Sequence, residues 1–469
     1  SQTHGAVTVS ADAVCNGVLD LGGIVGRHTT VTLSGTDQTT YYCNDCTNHG
    51  TVTMAGTVNK KTFRMGGVTG YSQAKMYRDK NYGKIEMSGT VTMNGWRGKN
   101  GDGVIAGIVG YKTHGSIYSP ESYGEIVVSG ETKEAHATKI SQVKIANIVC
   151  YSAQDVQETS VSKGKITVSG TFATEVNVGG TAAYSYNTSL SVSNDTCDAD
   201  IVLSGKFNKG LVVGGVLSWA HFTTKGLTYT GTIEVTEDAV INGLCYIGGC
   251  VGQLAIPDGT ARSAQDMTND GTIKFNGTSN VKLHLGGCIG YCAKEAGNAS
   301  STKIHTIKNV TNNGEIILGS TSVSGDNIDV AGCVGYTANT VTTATNNGKI
   351  TIEGSHTGGN NYFSGCIADG VGNATGLTNN ADIECPATAN FKVARMGGLV
   401  GYSSSKVSGT NLGCINYAAT STGTVGIAGI AYRGKIVDCV NGVEGDPTKG
   451  VVTYAGAAGS EDKNGSLNF

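Results

Sequence analysis

Three sets of side chains in this sequence could do chemistry: aromatics at a fixed spacing, grouped carboxylates, and cysteines in pairs and rows. Tyr71, Tyr111, Tyr151, Tyr184, Trp219, Tyr291, Tyr336 and Tyr402 each close a short glycine-rich phrase. Stacked on equivalent positions and open to solvent, such rings would form a ligand platform, with flat apolar faces for sugar rings and hydroxyls as polar handles. Turned inward they would fill a corner of the core, and their parity with Ile289 and Val334 favours that packing. Arg27, Gln253, Asp369 and Arg433 hold the same place in other copies, which argues that the position reaches solvent.

Sugar-cleaving chemistry needs converging carboxylates, or a base beside cations, on one face. Glu131, Glu134 and His136 form one candidate group, and Asp195, Asp198 and Asp200 another. Both sit in polar stretches that read as loops or turns, where solvated charge is expected. The second group offers oxygen ligands for loosely held calcium, but no EF-hand pattern accompanies it. The nine His show neither triad nor metal spacing. No catalytic, cofactor-binding or metal-ligating residue is therefore assigned, and a polysaccharide lyase or glycosidase is the lesser reading.

Among 14 cysteines, Cys250, Cys288, Cys333 and Cys366 occupy the same place in successive repeats. Elsewhere that place holds Ile24, Val68, Ile108, Val216, Leu399 and Ile430. The row therefore reads as a ladder of small buried hydrophobes, a role free Cys can fill. Cys43-Asn-Asp-Cys46 has zinc-like local spacing, yet no second pair at that spacing follows. In an oxidising compartment Cys43 or Cys46 could pair with Cys15, or Cys414 with Cys439, and sequence does not fix the connectivity.

These residues must be positioned by something periodic. The phrase apolar-small-Gly-apolar-apolar-Gly-aromatic recurs about twelve times, as in MGGVTGY from Met65, LGGCIGY from Leu285 and MGGLVGY from Met396. Its spacing runs from 31 to 45 residues, a range typical of solenoids, propellers and arrays. Both faces of the phrase are apolar or small, so it reads as a strand covered on both sides. Its glycines would let another backbone approach closely. A second phrase alternates with it: Gly83-Lys-Ile-Glu-Met-Ser-Gly89 and Gly348-Lys-Ile-Thr-Ile-Glu-Gly354 have period two, the mark of a half-buried strand. Asn-x-Gly precedes it at Asn81, Asn269 and Asn346 and reads as a turn that tolerates positive φ. No segment carries a capped helical stripe, and 131–142 reads as a loop.

With two or three strands counted per repeat and few tight hairpin signals, a propeller of four-stranded blades is disfavoured. The expected fold is all-β, a right-handed parallel β-solenoid (β-helix) of about twelve coils. Residues 1–20 would form an N-terminal cap, 21–449 the repeats and 450–469 a C-terminal cap. Composition agrees: Gly is 71 of 469 residues, Pro only four, and 39% of the chain is hydrophobic. Collagen and disorder are thereby excluded. A net charge of −3 with no basic stripe gives no nucleic-acid footprint, and no apolar run is long enough for a membrane span.

MGGLVGYS at Met396 and MGGVTGYS at Met65, with CTNHGTVTMAG from Cys46 and TNNGKITIEG from Thr345, resemble the GLUG motif. That motif occurs in repeat-bearing surface and secreted bacterial proteins, including stalks of some IgA-cleaving metallopeptidases. The alternation looks most like surface proteins of gut Bacteroidota and Firmicutes. The resemblance spans about Leu21 to Val440 and implies a β-solenoid at the cell surface or secreted, with no catalytic residues to carry over. The His-Glu-x-x-His zinc signature of the peptidase relatives is absent.

The expected function is therefore that of a non-enzymatic bacterial adhesin, stalk or protein-binding scaffold. The alternative is a glycan-binding component of a surface polysaccharide-uptake system. Expected partners are other surface proteins or host and dietary glycans, reached through inserts at 36–48, 94–103, 131–141, 257–267 and 294–308. Lateral assembly through small residues of the glycine-rich strand is a further expectation.

Overall fold

A computed structural model describes residues 1–29, 42–59, 62–93, 103–135, 141–152, 156–157, 160–185, 192–221, 223–255, 263–292, 306–319, 322–323 and 327–456. His136 and the greater part of the five expected inserts lie outside them. The described residues form no helix; they are strands joined by bends and turns, and the named ladders run parallel. The fold is a parallel β-solenoid. The chain divides into two compact units, Ser1–Thr223 and Thr224–Phe469.

One coil of the first unit shows how the sequence builds the repeat. The glycine-rich phrase supplies two strands, Phe63–Gly66 and Thr69–Ser72, separated by a bend at Gly67 and Val68. Lys75–Tyr77 and Lys80–Asn81 follow, then the alternating strand Ile85–Met87, then Thr90–Met93. Six short strands thus replace the two or three expected. Strands of two to four residues are too short to show a period; they exist because each pairs with its counterpart one coil away. Each unit stacks six copies of the first strand, from Leu19–Gly22 to Gly210–Gly214 and from Leu244–Gly248 to Val425–Ala428.

The alternating strands follow the expected pattern. Val52, Ile85, Ile126, Ile166 and Ile201 lie in register and fully buried in the first unit, while Lys84 and Glu86 remain partly exposed. Burying this continuous apolar column is the main driving force for stacking. Residues 1–20 contribute strands of their own: Gln2, Val7, Val14 and Leu19 align with Thr47, Val52, Thr57 and Phe63. Val452–Tyr454 aligns with Ile415–Tyr417, and residues 457–469 lie outside the described set.

Three local expectations are corrected. Gly83, Gly271 and Gly348 do not have positive φ. They are required because a Cβ would fall 1.9–2.1 Å from a carbonyl oxygen of the preceding coil. Residues 131–134 form a strand rather than a loop, pairing with Thr90–Met93 and turning Thr132 inward. Coil addition supplies its hydrogen-bonding partners, so polar side chains do not prevent it. Three glycine-rich strands are also covered on both faces and so present no outer face for lateral assembly. Every residue of Phe63–Gly66, Gly103–Ala106 and Leu283–Gly286 is buried, because the second strand of the phrase folds over the first.

Candidate functional site

The predicted aromatic row forms a stack. Parallel pairing aligns Arg27, Tyr71, Tyr111, Tyr151, Tyr184 and Trp219 in the first unit. In the second it aligns Gln253, Tyr291, Tyr336, Asp369, Tyr402 and Arg433. Each ladder pairs the residues at 69, 71 and 72 with their counterparts and skips Gly70.

Ring centroids of Tyr71, Tyr111, Tyr151 and Tyr184 follow one another at 5.8, 4.4 and 5.5 Å with planes within 15° of parallel. Trp219 meets Tyr184 edge-on at 5.3 Å. Tyr291 and Tyr336 stack at 5.0 Å. The rings therefore spend their faces on each other, a geometry that contributes about 0.5–1.5 kcal/mol per pair beyond area burial. Tyr71, Tyr151, Tyr184 and Trp219 are buried, and Tyr111, Tyr291, Tyr336 and Tyr402 are half-buried. Edges and hydroxyls, rather than faces, are what the row presents.

Sequence reading missed the partners of this row. They lie seven residues earlier, on the first strand of the phrase. At two places where the row lacks a ring, that strand supplies one: Tyr246 accompanies Gln253 and stacks on Tyr291 at 4.3 Å, and Tyr362 accompanies Asp369 and meets Tyr402 at 5.6 Å. At three others it supplies a cation, Arg64, Lys144 or Arg395. The Arg64 guanidinium lies 4.7 and 4.6 Å from the Tyr71 and Tyr111 rings, and Lys144 Nζ lies 4.9 Å from Tyr184. Arg395 donates to the Tyr362 hydroxyl at 3.0 Å. The heptad offset between the two strands was visible in the sequence, but only the bend brings them face to face.

In the second unit this cleft also holds acids. Asp329 is fully buried, and its Oδ2 lies 2.6 Å from His284 Nδ1. Burial drives the Asp329 carboxyl upward against the pull of His284. Two coils of register separate His284 from Asp369's neighbour Tyr362, and Asp369 is pushed up to about 7 by burial and then by Asp329. Tyr336 is pushed up to about 12, first by burial and then by Tyr291 and the two acids. A carboxyl titrating near neutrality can exchange protons. Its acidic partner, however, is sealed from solvent, whereas glycoside hydrolysis needs two carboxyls flanking one bond.

Of the two carboxylate groups nominated from sequence, the three aspartates do not assemble. Asp195 is buried and accepts the Ser160 hydroxyl, and burial pushes it up to about 6; Asp198 and Asp200 are exposed on the other face. Alternation in a strand-like segment separates them. Glu134 accepts from the Ser141 amide and hydroxyl at 2.7 and 3.1 Å, and Glu131 pairs with Lys133 at 3.2 Å.

Two further rows emerge. Cys250, Cys288, Cys333 and Cys366 are fully buried, each thiol donating to the carbonyl of Thr268, Thr311, Thr345 or Thr378 at 3.2–3.3 Å. Burial raises the Cys250 and Cys333 thiols far above their ordinary range. They pack as small hydrophobes with a weak donor. Cys15, Cys414 and Cys439 are unpaired thiols.

The second row lies on the surface of the first unit, at the middle residue of Asn-x-Gly and its variants. His4, His49, Tyr82 and Tyr123 stack at 4.6, 5.0 and 5.0 Å. Tyr82 and Tyr123 are 44% and 38% exposed, and the Tyr123 hydroxyl donates to Glu121 at 3.1 Å. In the second unit the same column is polar, with Asn313 donating to Asp270, Asn347 to Asn313 and Asn380 to Asn347 at 2.7–2.8 Å.

What the folded chain defines is a class: a repeat protein of the parallel β-solenoid kind. No family model, curated protein or solved structure matches it. Among the described residues, no helix is long and apolar enough to cross a membrane.

Proposed function

We propose that this chain is a non-enzymatic, surface-exposed or secreted bacterial repeat protein acting as an adhesin, stalk or protein-binding scaffold. One observation carries this reading: the long rows of asparagine and tyrosine side chains are consumed in coil-to-coil contacts. Asn269, Asn312, Asn346, Asn379 and Asn411 each donate to the next asparagine at 2.7–2.9 Å, ending on Asn441. The buried tyrosines stack on one another in the same way. Such a chain gains cohesion with every repeat and leaves its surface free to vary. The resemblance of its glycine-rich phrase to GLUG repeats supports a place at the cell surface.

A second reading, glycan binding within a surface uptake system, is favoured by the exposed His4–His49–Tyr82–Tyr123 column, where aromatic edges and hydroxyls meet solvent. A glycan-array screen of the intact chain beside a Tyr82→Ser/Tyr123→Ser variant separates the two. The scaffold reading expects no saturable glycan signal for either protein. Saturable binding lost in the folded variant would replace it with the glycan-binding reading, and release of shortened glycan would replace both with an enzyme.

A further inference from the structure

Outside the aromatic row, the described residues of the first unit contain one dense cluster of reactive groups. Cys43 and Cys46 both turn inward, with Sγ atoms 3.1 Å apart, on a turn held by Asp45 in the left-handed region at φ 52°. Arg78, one coil on, grips Asp45 through two hydrogen bonds of 2.8 and 2.9 Å and fixes that turn. Asp79 lies beneath: its Oδ1 accepts from the Cys46 amide at 2.9 Å, and its Oδ2 is buried beside the two thiols. A carboxylate oxygen and both sulfurs fall within 4.8 Å of one another. From the third coil the fully buried Lys112 reaches back to the Ser72 hydroxyl and the Ala74 carbonyl, and burial pushes its ammonium down to about 7.

We propose that Cys43 and Cys46 form a thiol–disulfide exchange site, cycling between a dithiol and an intramolecular disulfide, with Asp79 as the proton acceptor for Cys43. The geometry favours this over a metal site. Two thiolates on one tetrahedral zinc, with Zn–S of about 2.3 Å, stand roughly 3.8 Å apart, further than these sulfurs. Disulfide formation requires only that the sulfurs close to about 2.05 Å.

The groups divide the work. The hydrogen bond between the two thiols lowers Cys46 and raises Cys43, so Cys46 is the attacking thiolate. Burial pushes Asp79 up to about 8, so above that pH its carboxylate is ionised and can take the Cys43 proton. The oxidant is a small-molecule disulfide, R–S–S–R. Cys46 thiolate attacks one of its sulfurs and expels RS⁻, which leaves as thiol with the proton that Cys46 gave up. Cys43 passes its proton to Asp79, attacks the Cys46 sulfur and expels the second RS⁻, which takes up that proton. Two electrons pass from the cysteine pair to the oxidant, giving one new disulfide and two RSH.

The test is intact-mass and peptide-mass analysis of the full chain equilibrated in glutathione buffers of graded redox ratio. The expected result is loss of two hydrogens confined to the peptide carrying Cys43 and Cys46, at ratios leaving Cys250, Cys288, Cys333 and Cys366 reduced. Cys43→Ser should trap a mixed disulfide with glutathione on Cys46, whereas Cys46→Ser should leave Cys43 unmodified. Asp79→Asn should slow ring closure by roughly a hundredfold, so that the mixed disulfide accumulates. Two free thiols at both positions under the most oxidising buffer would overturn the proposal. So would one equivalent of zinc on the untreated protein, removed by chelator with exposure of both thiols. The wild-type measurement decides the matter even where a variant fails to fold.

Discussion

At the scale of single residues, the same side chain does different work on the two faces of the coil. Asn312 and Asn313 are neighbours, yet Asn312 is buried between Asn269 and Asn346 while Asn313 donates to Asp270 in solvent. Replacing Asn312 with Leu strands buried polar groups on the coils above and below, and should cost about 3 kcal/mol. Asn313→Leu should cost less than about 1 kcal/mol, since water replaces its partners. Urea denaturation of the two variants tests this, and equal losses would refute it. Asp369 gives a pH signature. Its carboxyl rises from about 3.8 to about 7 on folding, so the folded state binds the proton more tightly than the unfolded chain. The resulting stabilisation is complete below about pH 4 and lost as pH climbs through about 7. Asp369→Asn should remove this slope: thermal midpoints of wild type and variant followed from pH 4 to 8 should converge toward acid and separate toward pH 8, with the variant the more stable there.

At the scale of the element, the glycine-rich phrase owes its composition to contact rather than to backbone freedom. A Cβ on Gly287 would sit 1.9 Å from the Gly332 carbonyl oxygen and 2.4 Å from the Asn312 side chain. Gly287→Ala must therefore push two coils apart or displace the asparagine row, and should cost about 3 kcal/mol by calorimetry or denaturant titration. Cys288, one residue away, is the opposite case. Val and Ile fill the equivalent place in other repeats, so Cys288→Val should change stability by less than about 1.5 kcal/mol. Loss of the fold in Cys288→Val would mean that the thiol's hydrogen bond to Thr311 matters more than its volume.

At the scale of the whole molecule, stability is a sum over repeats and their nearest-neighbour interfaces. Asn312 and Asn346 occupy the same register position in adjacent coils, 34 residues apart. Excising residues 313–346 joins Asn312 to Asn347 and preserves every ladder. That deletion should retain a cooperative, β-rich fold of lower stability by circular dichroism. Excising 313–329 instead removes half a coil, sets unlike strands against each other and should give an aggregated product. A half-coil deletion as well folded as the full one would show that register is not what specifies this fold.

The sequence by itself determined that the chain repeats, that its strands are parallel and stacked, and which residues of the alternating strand face inward. Ile85 and Met87 are buried as their period demands, because a two-residue alternation leaves a strand only one way to hide its apolar side. It also placed Cys250, Cys288, Cys333 and Cys366 in one buried row. What it could not decide were contacts made between coils or across a bend. The pairing of Tyr246 with Tyr291, and of Arg64 with Tyr71, depends on a turn that folds one strand over another. The exposed column of His49, Tyr82 and Tyr123 comes from residues 41 or fewer apart, each unremarked in its own turn. Cys46 and Asp79 are 33 residues apart and meet because that distance is one turn of the coil. Spacing along a chain becomes proximity in space only once the pitch of the coil is set, and that pitch is a property of the packed tertiary structure.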